Sequence, residues 1–351
     1  MTEQQRPSPA VRVTINDIAA RAGVSIGAVS FALNGRKGVS EKTRARVLKV
    51  ADELGWAPST AARSLAEART ETIGLVLRRD LRTLGLESFF MRFIAGMESE
   101  MSSRGYGLLL QVAASMDDEI ATLTKWRSTR RVDGILLVDL LVDDPRLDLI
   151  AGDRALPAVV VGDPSVAGAA TSVWTDDAAS MRAAVARLAE LGHRRITRVA
   201  GVAEFAHTRI RDEAFSDEMT RRGLTPRILR TDYTLESGTG ATRSILQEDG
   251  RPTALIYDND LMAVAGLGVA HELGLDVPGD VSIIAWDDSV LCEHTFPPLT
   301  ALSHDVAATG AHAIRRLFAV LDGAEPDAFL DSTATLTERG STGVPAQEGT
   351  A

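Results

Sequence analysis

The stretch from Thr14 to Leu65 constrains the fold more than any other part of this chain of 351 residues. Apolar residues at helical spacing predict two short amphipathic helices on either side of Gly23, the second running from Ile26 to about Leu33. A third helix is predicted after Ser40, a favourable N-cap residue, and ends near Gly55. Two short helices joined by the sequence AGVS have the layout of a helix-turn-helix, whose second helix enters the DNA major groove.

Charge separates this stretch from the rest of the chain. Residues 1–69 contain 11 Lys and Arg against 6 Asp and Glu, a net charge of +5, whereas the whole chain carries −10. Residues 70–351 therefore sum to −15. A basic head on an acidic body is expected where only the head meets phosphate. A small three-helix bundle with solvated charges is the alternative, and helix spacing, turn and charge together favour the DNA-binding interpretation.

The same stretch resembles the DNA-binding headpiece of the LacI/GalR family of bacterial transcription regulators. The resemblance implies an N-terminal all-α helix-turn-helix headpiece with a hinge helix, then two doubly wound parallel α/β subdomains of the type I periplasmic binding protein fold. It also implies a homodimer on a pseudo-palindromic operator, because two-fold protein symmetry requires symmetric half-sites. The matching residues are Thr14, Asp17, Ile18, Ala19, Ala22-Gly23-Val24-Ser25, Val29-Ser30, Leu33-Asn34, Val39-Ser40, Thr43-Arg44, Val47 and Ala61 to Leu65.

The predicted recognition helix lacks the polar groups that usually read bases. Family members often carry polar or arginine side chains at the positions of Ile26, Gly27 and Phe31, none of which can form the bidentate hydrogen bonds that discriminate guanine or adenine. Apolar contact with thymine methyl groups remains open to them, and Phe31 could equally belong to the core. The residues expected to contact DNA are Thr14, Ser25, Ile26, Gly27, Ala28, Ser30, Phe31, Asn34, Thr43, Ala62 and Leu65, with Ser25, Ser30, Asn34 and Thr43 as phosphate ligands.

The segment from Pro58 to Leu65 follows the helix stop at Gly55. Proline at a first helical position, followed by an alanine-rich sequence, favours one or two helical turns. A helix this short is unstable alone in water and should form only when paired with a partner or with DNA. By the resemblance it is the hinge helix, which inserts Leu65 as a wedge between minor-groove base steps. An ordinary linker is the alternative.

Beyond Thr72, short apolar strand patterns alternate with helical ones, which indicates parallel α/β structure. A second such series starts near Ser172, a helix is predicted from Pro145 to Gly152, and the strand at 297–302 is predicted to return towards the first half. One final strand is expected around 332–336. The expected domains are a disordered tail (1–11), a helix-turn-helix domain (12–57), hinge and linker (58–70), an effector-binding and dimerisation domain (71–340, with an N-subdomain of about 71–171 plus 301–332 and a C-subdomain of about 172–300 plus 333–340) and a loose tail (341–351).

Candidate ligand-binding residues follow the predicted strands, because ligands of doubly wound sheets bind beyond the carboxyl ends of strands. By the resemblance, Arg211 in RDEAF, Asn259 in YDNDLMAVAG and Asp287 in IIAWDDS hydrogen-bond the hydroxyl groups of a small effector, commonly a sugar. Flat aromatic side chains could cover an apolar sugar face. The expected effector-binding set is Phe89, Phe90, Asp139, Trp174, His207, Arg211, Tyr233, Asn259 and Asp287, and Arg78, Arg79, Asp80, Glu87, Ser88, Asp163 and Trp286 are further candidates.

Several classes of protein are disfavoured by what the sequence lacks. The first residues contain no apolar run typical of a signal peptide, and no run is long enough to span a membrane. A single cysteine, Cys292, excludes an intrachain disulfide, and the histidines lack metal-ligand spacing. No nucleotide-binding glycine loop or nucleophile elbow occurs. We therefore expect a cytoplasmic, nucleoid-associated regulator, most simply a repressor, without cofactor, metal or catalytic residues. No leucine heptads predict a tetramerising coiled coil.

Two other functions share parts of this pattern. A solute-binding protein would have the same α/β body, but it would not need the basic head. A sugar-processing enzyme could use the carboxyl groups of Asp258, Asp260, Asp287 and Asp288, yet no motif assigns them acid and base roles. Whether ligand strengthens or weakens DNA binding is left open by the sequence, as are the effector and the operator.

Overall fold

The computed structural model describes residues 13–56, 69–79, 85, 87–152 and 155–346. The chain divides into two compact units, Met1–Arg69 and Thr70–Ala351. The predicted tail 1–11, Asp80 and the hinge residues Ala62 and Leu65 lie outside the described residues. In the first unit the described helices are α1 (Ile15–Ala22), α2 (Ile26–Leu33) and α3 (Glu41–Glu53).

The head helices begin at the residues predicted to cap them. Ser25 Oγ accepts a hydrogen bond from the backbone N–H of Ala28 at 3.2 Å, and Ser40 Oγ accepts one from Thr43 at 3.2 Å. These bonds satisfy amide groups that have no partner within the first helical turn. Between α1 and α2, Gly23 has φ of 62°, a left-handed conformation that glycine adopts without steric cost. Ile18, Val29 and Val47, one from each helix, are fully buried where the three helices meet.

The described residues of the second unit form two six-stranded sheets, each covered by helices on its two faces. The first lobe comprises β1 (Thr72–Arg78), α4 (Ser88–Ser103), β2 (Gly107–Ala113), α5 (Met116–Thr129), β3 (Gly134–Leu137), β4 (Ala158–Val161), β5 (Thr171–Thr175), α11 (Val306–Leu321) and β11 (Ala328–Ser332). The second lobe comprises α6 (Asp177–Glu190), β6 (Ile196–Ala200), α7 (Ala206–Arg221), β7 (Arg227–Arg230), α8 (Leu235–Leu246), β8 (Ala254–Tyr257), α9 (Asp260–Glu272), β9 (Ser282–Trp286), α10 (Val290–His294), β10 (Thr300–Ser303) and β12 (Thr335–Thr337).

The strand order is β11-β5-β4-β3-β1-β2 in the first lobe and β12-β10-β9-β8-β6-β7 in the second. All pairings between these strands are parallel except that of β10 with β12.

The chain crosses between the lobes at three places, after β5, after β10 and after β11. The second crossing delivers α11 to the first lobe, where it packs closely against α4. A Cβ atom at Gly96 would collide with the backbone carbonyl of Ala307, and one at Gly310 would collide with that of Phe93. These two glycines therefore allow the helix backbones to approach each other, and they tie the returning chain to the first sheet.

The lobe boundaries differ from those expected. The strand containing Ser172 pairs with β4 in the first sheet, so it does not open the second lobe. The strand Thr300–Ser303 pairs with β9 in the second sheet, and the chain returns to the first lobe only after it. The single final strand is in fact two, β11 in the first sheet and β12 in the second. An apolar run specifies a buried strand but not its neighbour, which explains these errors.

Three local predictions were also wrong. The segment after Asp144 forms a short 3₁₀ helix (Pro145–Leu149) and not an α-helix to Gly152. The helix that the sequence pattern predicts from Ile210 to Arg222 begins at Ala206 (α7), and the tail is not loose over 341–346. There the buried Ser341 hydroxyl donates to the carbonyl oxygen of Ile283 at 2.6 Å and accepts from the N–H of Thr300 at 2.8 Å. Among the described residues, no helix is long and apolar enough to cross a membrane.

Candidate functional site

A cleft between the two lobes collects residues from the carboxyl ends of strands in both sheets. Asp139 follows β3, Tyr233 follows β7, and Asn259 and Asp287 follow β8 and β9. The start of α4 and the first turns of α7 contribute the remaining polar and aromatic groups. All nine residues predicted for effector binding line this one cleft: Phe89, Phe90, Asp139, Trp174, His207, Arg211, Tyr233, Asn259 and Asp287.

Arg211 is the central cation of the second-lobe wall. Its Nε donates to Asp177 Oδ2 at 2.8 Å, and its guanidinium carbon lies 3.7 Å from the centre of the Trp286 ring. Burial opposes the charged form, but the carboxylates of Asp177 and Asp258 outweigh it and raise the pKa of Arg211 above its usual range. Neither terminal nitrogen of Arg211 has a hydrogen-bond partner among the described residues. This arrangement orients a planar, bidentate donor and leaves part of it for a ligand.

Asp287 has an unsatisfied oxygen in the same cleft. Its Oδ1 is shielded from solvent and has no hydrogen-bond partner among the described residues, although the residue as a whole is only half-buried. Burial and the nearby carboxylate of Asp260 raise the pKa of Asp287 to about 7. The backbone of Asp287 has φ of 67°, a conformation that non-glycine residues rarely adopt. A buried polar atom without a partner on a strained backbone is typical of a ligand-binding position.

Asn259 has a structural task that the sequence did not reveal. Its Oδ1 accepts from the N–H of Met262 at 2.8 Å and so caps α9, while its Nδ2 donates to the carbonyl oxygen of Tyr233 at 3.1 Å. These two bonds fix the strand end and hold the Tyr233 backbone, whose φ is 69°. Asn259 therefore positions a neighbouring wall of the cleft, besides lining it.

Tyr233 and His207 form a hydrogen-bonded pair beside this wall. The distance from His207 Nε2 to the Tyr233 hydroxyl oxygen is 2.9 Å, and Thr208 Oγ1 lies 2.9 Å from the same oxygen. Burial and the positive charge of Arg211 lower the pKa of His207 to about 4, so the imidazole is neutral near pH 7. A neutral imidazole and a phenol present mixed donor and acceptor groups, which suit hydroxyl-bearing ligands.

The first-lobe wall is built around Arg79. Its guanidinium donates to Asp139 Oδ2 at 2.5 Å and to Glu87 Oε2 at 3.1 Å, and it lies 4.9 Å from the centre of the Phe90 ring. Burial disfavours the Asp139 carboxylate, but Arg79 outweighs it and holds the pKa of Asp139 below its usual value. Asp139 also has positive φ, at 50°. Both carboxylates are thus occupied in neutralising one arginine.

Among the described residues, the cleft lining carries more acidic than basic side chains. Arg79 and Arg211 are the arginines in this part of the lining, and each already pairs with carboxylates within the wall. Asp258 is neutralised from behind by the buried Arg198, which bonds its two oxygens at 2.8 and 2.6 Å. The acidic lining residues are Glu87, Asp139, Asp163, Asp177, Asp258, Asp260 and Asp287. The surplus of carboxyl groups disfavours an anionic ligand.

Asp177 and His304 are polar cleft residues that the sequence analysis missed. Asp177 is the first residue of α6, separated from β5 only by the N-cap Asp176, and a carboxylate there is equally well explained by the helix dipole. His304 follows β10 directly, but this strand was expected to pass towards the other half, so its end was not recognised as part of the site. His304 Nδ1 is buried without a partner among the described residues, and burial lowers the pKa of this imidazole. Asp163, a further candidate, also lines the cleft, and its Oδ1 accepts from the N–H of Ser165 at 2.9 Å.

Direct hydrogen bonds join the lobes around the cleft. Ser88 Oγ of the first lobe donates to Asp260 Oδ2 of the second at 3.1 Å. The N–H of Ala206 donates to the carbonyl oxygen of Leu140 at 2.8 Å, and Arg92 donates to the carbonyl oxygen of Asp288 at 3.0 Å. Because these bonds span the lobes, a ligand that changes the lobe angle must alter them.

The head unit presents α2 with its apolar residues exposed. Ile26 is 54% exposed and Phe31 40% exposed, so the core alternative for Phe31 is wrong. Asn34 Nδ2 donates to the carbonyl oxygen of Ser30 at 2.9 Å, while Ser25 and Thr43 take part in the capping of α2 and α3. The other predicted contacts, Thr14, Gly27, Ala28 and Ser30, lie in or beside α1 and α2 and are not buried. Among the described residues, no cluster of His, Cys, Asp and Glu could hold a metal ion.

Comparison with known proteins identifies both units. Residues 14–59 match the family "Bacterial regulatory proteins, lacI family", and residues 185–342 match a periplasmic binding protein-like domain. The HTH-type transcriptional regulator CelR of Thermobifida fusca is 33% identical over 311 residues, which cover 87% of this chain and 91% of CelR. The structure of a CelR–cellobiose complex matches with 30% identity and a TM-score of 0.72, covering 94% of this chain and 100% of that one. The lac repressor dimer bound to operator and the anti-inducer ONPF matches with 25% identity and a TM-score of 0.83, covering 95% and 99%.

Proposed function

The chain belongs to the LacI family of bacterial regulatory proteins, and from that premise we propose that it is a homodimeric repressor controlled by an uncharged sugar bound in the cleft between its two lobes. As a member of this family it is a DNA-binding transcription regulator and not an enzyme. Binding to a pseudo-palindromic operator would place it at the nucleoid, in the cytoplasm.

The observation that carries the sugar assignment is the pair of unsatisfied polar atoms in the cleft. Asp287 Oδ1 and His304 Nδ1 are both shielded from solvent and lack partners among the described residues. Arg211, beside them, keeps its terminal nitrogens for a further acceptor. Adjacent hydroxyl groups of a sugar can donate to one such atom and accept from another, and a buried polar atom left without a partner costs about 1–3 kcal/mol.

Aromatic side chains support the same ligand class. Phe89 and Trp174 are partly buried in the cleft wall, and Trp286 is covered by Arg211. An apolar sugar face can pack on flat rings of this kind while its hydroxyl groups bind the polar atoms. The solved structure of the related regulator CelR is a complex with cellobiose, a sugar.

Charge narrows the class to uncharged sugars. Arg79 is paired with Asp139 and Glu87, and Arg211 with Asp177, so neither arginine offers an unopposed positive charge. A phosphate or carboxylate entering the cleft would meet the surplus carboxyl groups and lose its hydration. A neutral sugar carries no charge that the carboxyl groups would repel, and it has no ionic hydration shell to lose.

Control of DNA binding would pass through the lobes. Ligand binding shifts the population of lobe arrangements towards the one it binds better, and the bonds joining Ser88 to Asp260 and Leu140 to Ala206 would change with it. In a dimer this change would alter the spacing of the two heads and, with it, operator affinity. The arrangement that the ligand prefers determines whether it releases or strengthens the repressor.

The test is a thermal-shift screen of uncharged mono- and oligosaccharides on the full chain, followed by operator binding with each hit. The operator is first selected from random double-stranded DNA. We expect a sugar that raises the melting temperature to change operator affinity at least tenfold, and its phosphorylated analogue to do neither. A hit that leaves operator affinity unchanged would favour the solute-binding alternative. Ligand turnover that Asp287→Asn abolishes, without any DNA binding, would favour the enzyme.

A further inference from the structure

We propose that α2 recognises thymine methyl groups in the operator through the exposed side chains of Ile26 and Phe31. This helix would then discriminate between base sequences through apolar contacts and not through hydrogen bonds with base edges. The proposal goes beyond the regulatory function, which leaves the operator sequence open, and it rests on the described head unit alone.

The composition of α2 leaves few other means of reading DNA. Its sequence, IGAVSFAL, contains no charged or amide side chain. Val29 and Ala32 are buried in the head core, so the helix turns another face outward. That face includes Ile26 and Phe31, which are 54% and 40% exposed although their burial in the free protein would be favourable. Exposed apolar groups on a DNA-facing helix indicate that they are buried on binding.

Two polar side chains beside this face, those of Asn34 and Ser25, are already engaged. Asn34 Nδ2 donates to the carbonyl oxygen of Ser30 at 2.9 Å and lies 3.4 Å from Ser30 Oγ. Ser25 Oγ accepts from the N–H of Ala28. The Asn34 amide is therefore turned back on its own helix, and an amide in that position does not form the paired bonds that specify adenine.

The Phe31 ring is held in place by the loop that follows α2. Gly38 has φ of 136°, and a Cβ atom there would lie 2.9 Å from Phe31 Cδ2. The missing side chain of Gly38 thus lets the ring pack against the loop backbone while its other side stays exposed. A ring that is already ordered loses little side-chain entropy when it contacts a base.

The chemistry of the major groove selects thymine for such a surface. Thymine presents a C5-methyl group there beside its O4 acceptor, whereas guanine, adenine and cytosine have no methyl group and present hydrogen-bond donors and acceptors. Ile26 or Phe31 placed on those polar groups would remove their water without replacing its hydrogen bonds. Phosphate contacts from the basic residues of the head would contribute affinity without discriminating bases.

The experiment measures the methyl group directly. An operator is selected with the full chain from random double-stranded DNA, and each thymine of the half-site is replaced in turn by deoxyuridine, which removes only the methyl group. One buried methyl group accounts for about fourfold in affinity, so we expect about a fourfold loss at each position that Ile26 or Phe31 contacts. A selected half-site without thymine, or one on which every uridine substitution is silent, would overturn the proposal.

Two variants assign the contact. At the operator position that Ile26 contacts, the Ile26→Ala variant should bind the thymine and uridine forms of the operator with equal affinity. At the other positions it should still bind the thymine form more tightly. Leu48→Ala is the matched control, because Leu48 is an exposed apolar residue (47%) on α3 and should leave every thymine-to-uridine ratio unchanged. Thermal unfolding of both variants confirms an intact head. If Ile26→Ala retains the wild-type thymine-to-uridine ratio at all positions, and a Phe31→Ala variant does too, the proposal is wrong.

Discussion

Replacement of Arg211 by lysine tests the proposed effector site most directly. The substitution keeps the positive charge beside Asp177, whose Oδ2 lies 2.8 Å from Arg211 Nε. It removes the planar guanidinium that stacks 3.7 Å from the Trp286 ring centre, and with it the paired terminal donors. The change therefore separates geometry from charge at a single position.

The expected loss follows from those two contacts. A hydrogen bond to a charged group contributes about 1.5–3 kcal/mol, and a cation–π contact contributes about 0.5–2 kcal/mol. A lysine at this position would recover part of the sum of the two contributions. We expect Arg211→Lys to weaken sugar binding by about 2–4 kcal/mol, which is roughly 30- to 1,000-fold in Kd. The measurement is isothermal titration calorimetry with the sugar found in the thermal-shift screen.

The control lies on the same helix. Arg209 is 57% exposed, pairs with Glu213 at 3.4 Å and is not part of the cleft lining, so Arg209→Lys should change Kd by less than about twofold. Operator affinity without sugar should be the same in both variants and the wild type. If Arg211→Lys binds the sugar within about threefold of the wild type, the ligand does not contact this guanidinium and the proposed role of Arg211 is wrong.

Three further predictions follow. Burial raises the pKa of Asp287 to about 7, so the folded state binds the Asp287 proton more tightly than the unfolded chain does. The free energy of unfolding of the wild type, measured in urea, should therefore fall between about pH 4 and pH 7 when compared with that of Asp287→Asn. Arg198→Met removes the ion-pair partner of the buried Asp258 and should lower the free energy of unfolding by about 3–5 kcal/mol, against less than about 1 kcal/mol for Arg227→Ala in an exposed pair. Leu65→Ala should weaken specific operator binding much more than nonspecific binding in competition titrations.

Each of these has a clear contrary outcome. Parallel stability profiles for the wild type and Asp287→Asn between pH 4 and 7 would mean that this carboxyl titrates normally in the folded protein. Similar losses for Arg198→Met and Arg227→Ala would mean that the buried pair contributes no more than a surface pair. Equal losses on operator and nonspecific DNA for Leu65→Ala would argue against a wedge at the hinge.

Much of the site could be predicted because it depends on local features of the chain. A residue that lies within two positions of the end of a buried strand is at the carboxyl edge of a parallel sheet whichever strand is its neighbour, which is why Asp139, Asn259 and Asp287 were predicted. His304 obeys the same rule. The sequence pattern nevertheless predicted that the strand before it passes towards the other half, so the carboxyl end of β10 was not expected at the cleft.

The sequence by itself determined the head helices with their caps at Ser25 and Ser40, the alternating α/β body and the resemblance that names the family. These depend on residue types at fixed spacing along the chain, and they hold before any long-range contact forms. Only the tertiary structure decided which sheet receives β5 and β10, that Arg79 and Arg211 are neutralised within the walls, and that Asp287 is left with an unmatched oxygen. Strand pairing, desolvation and charge interactions act through space between distant residues, so the ligand preference of the cleft became visible only when the two lobes were brought together.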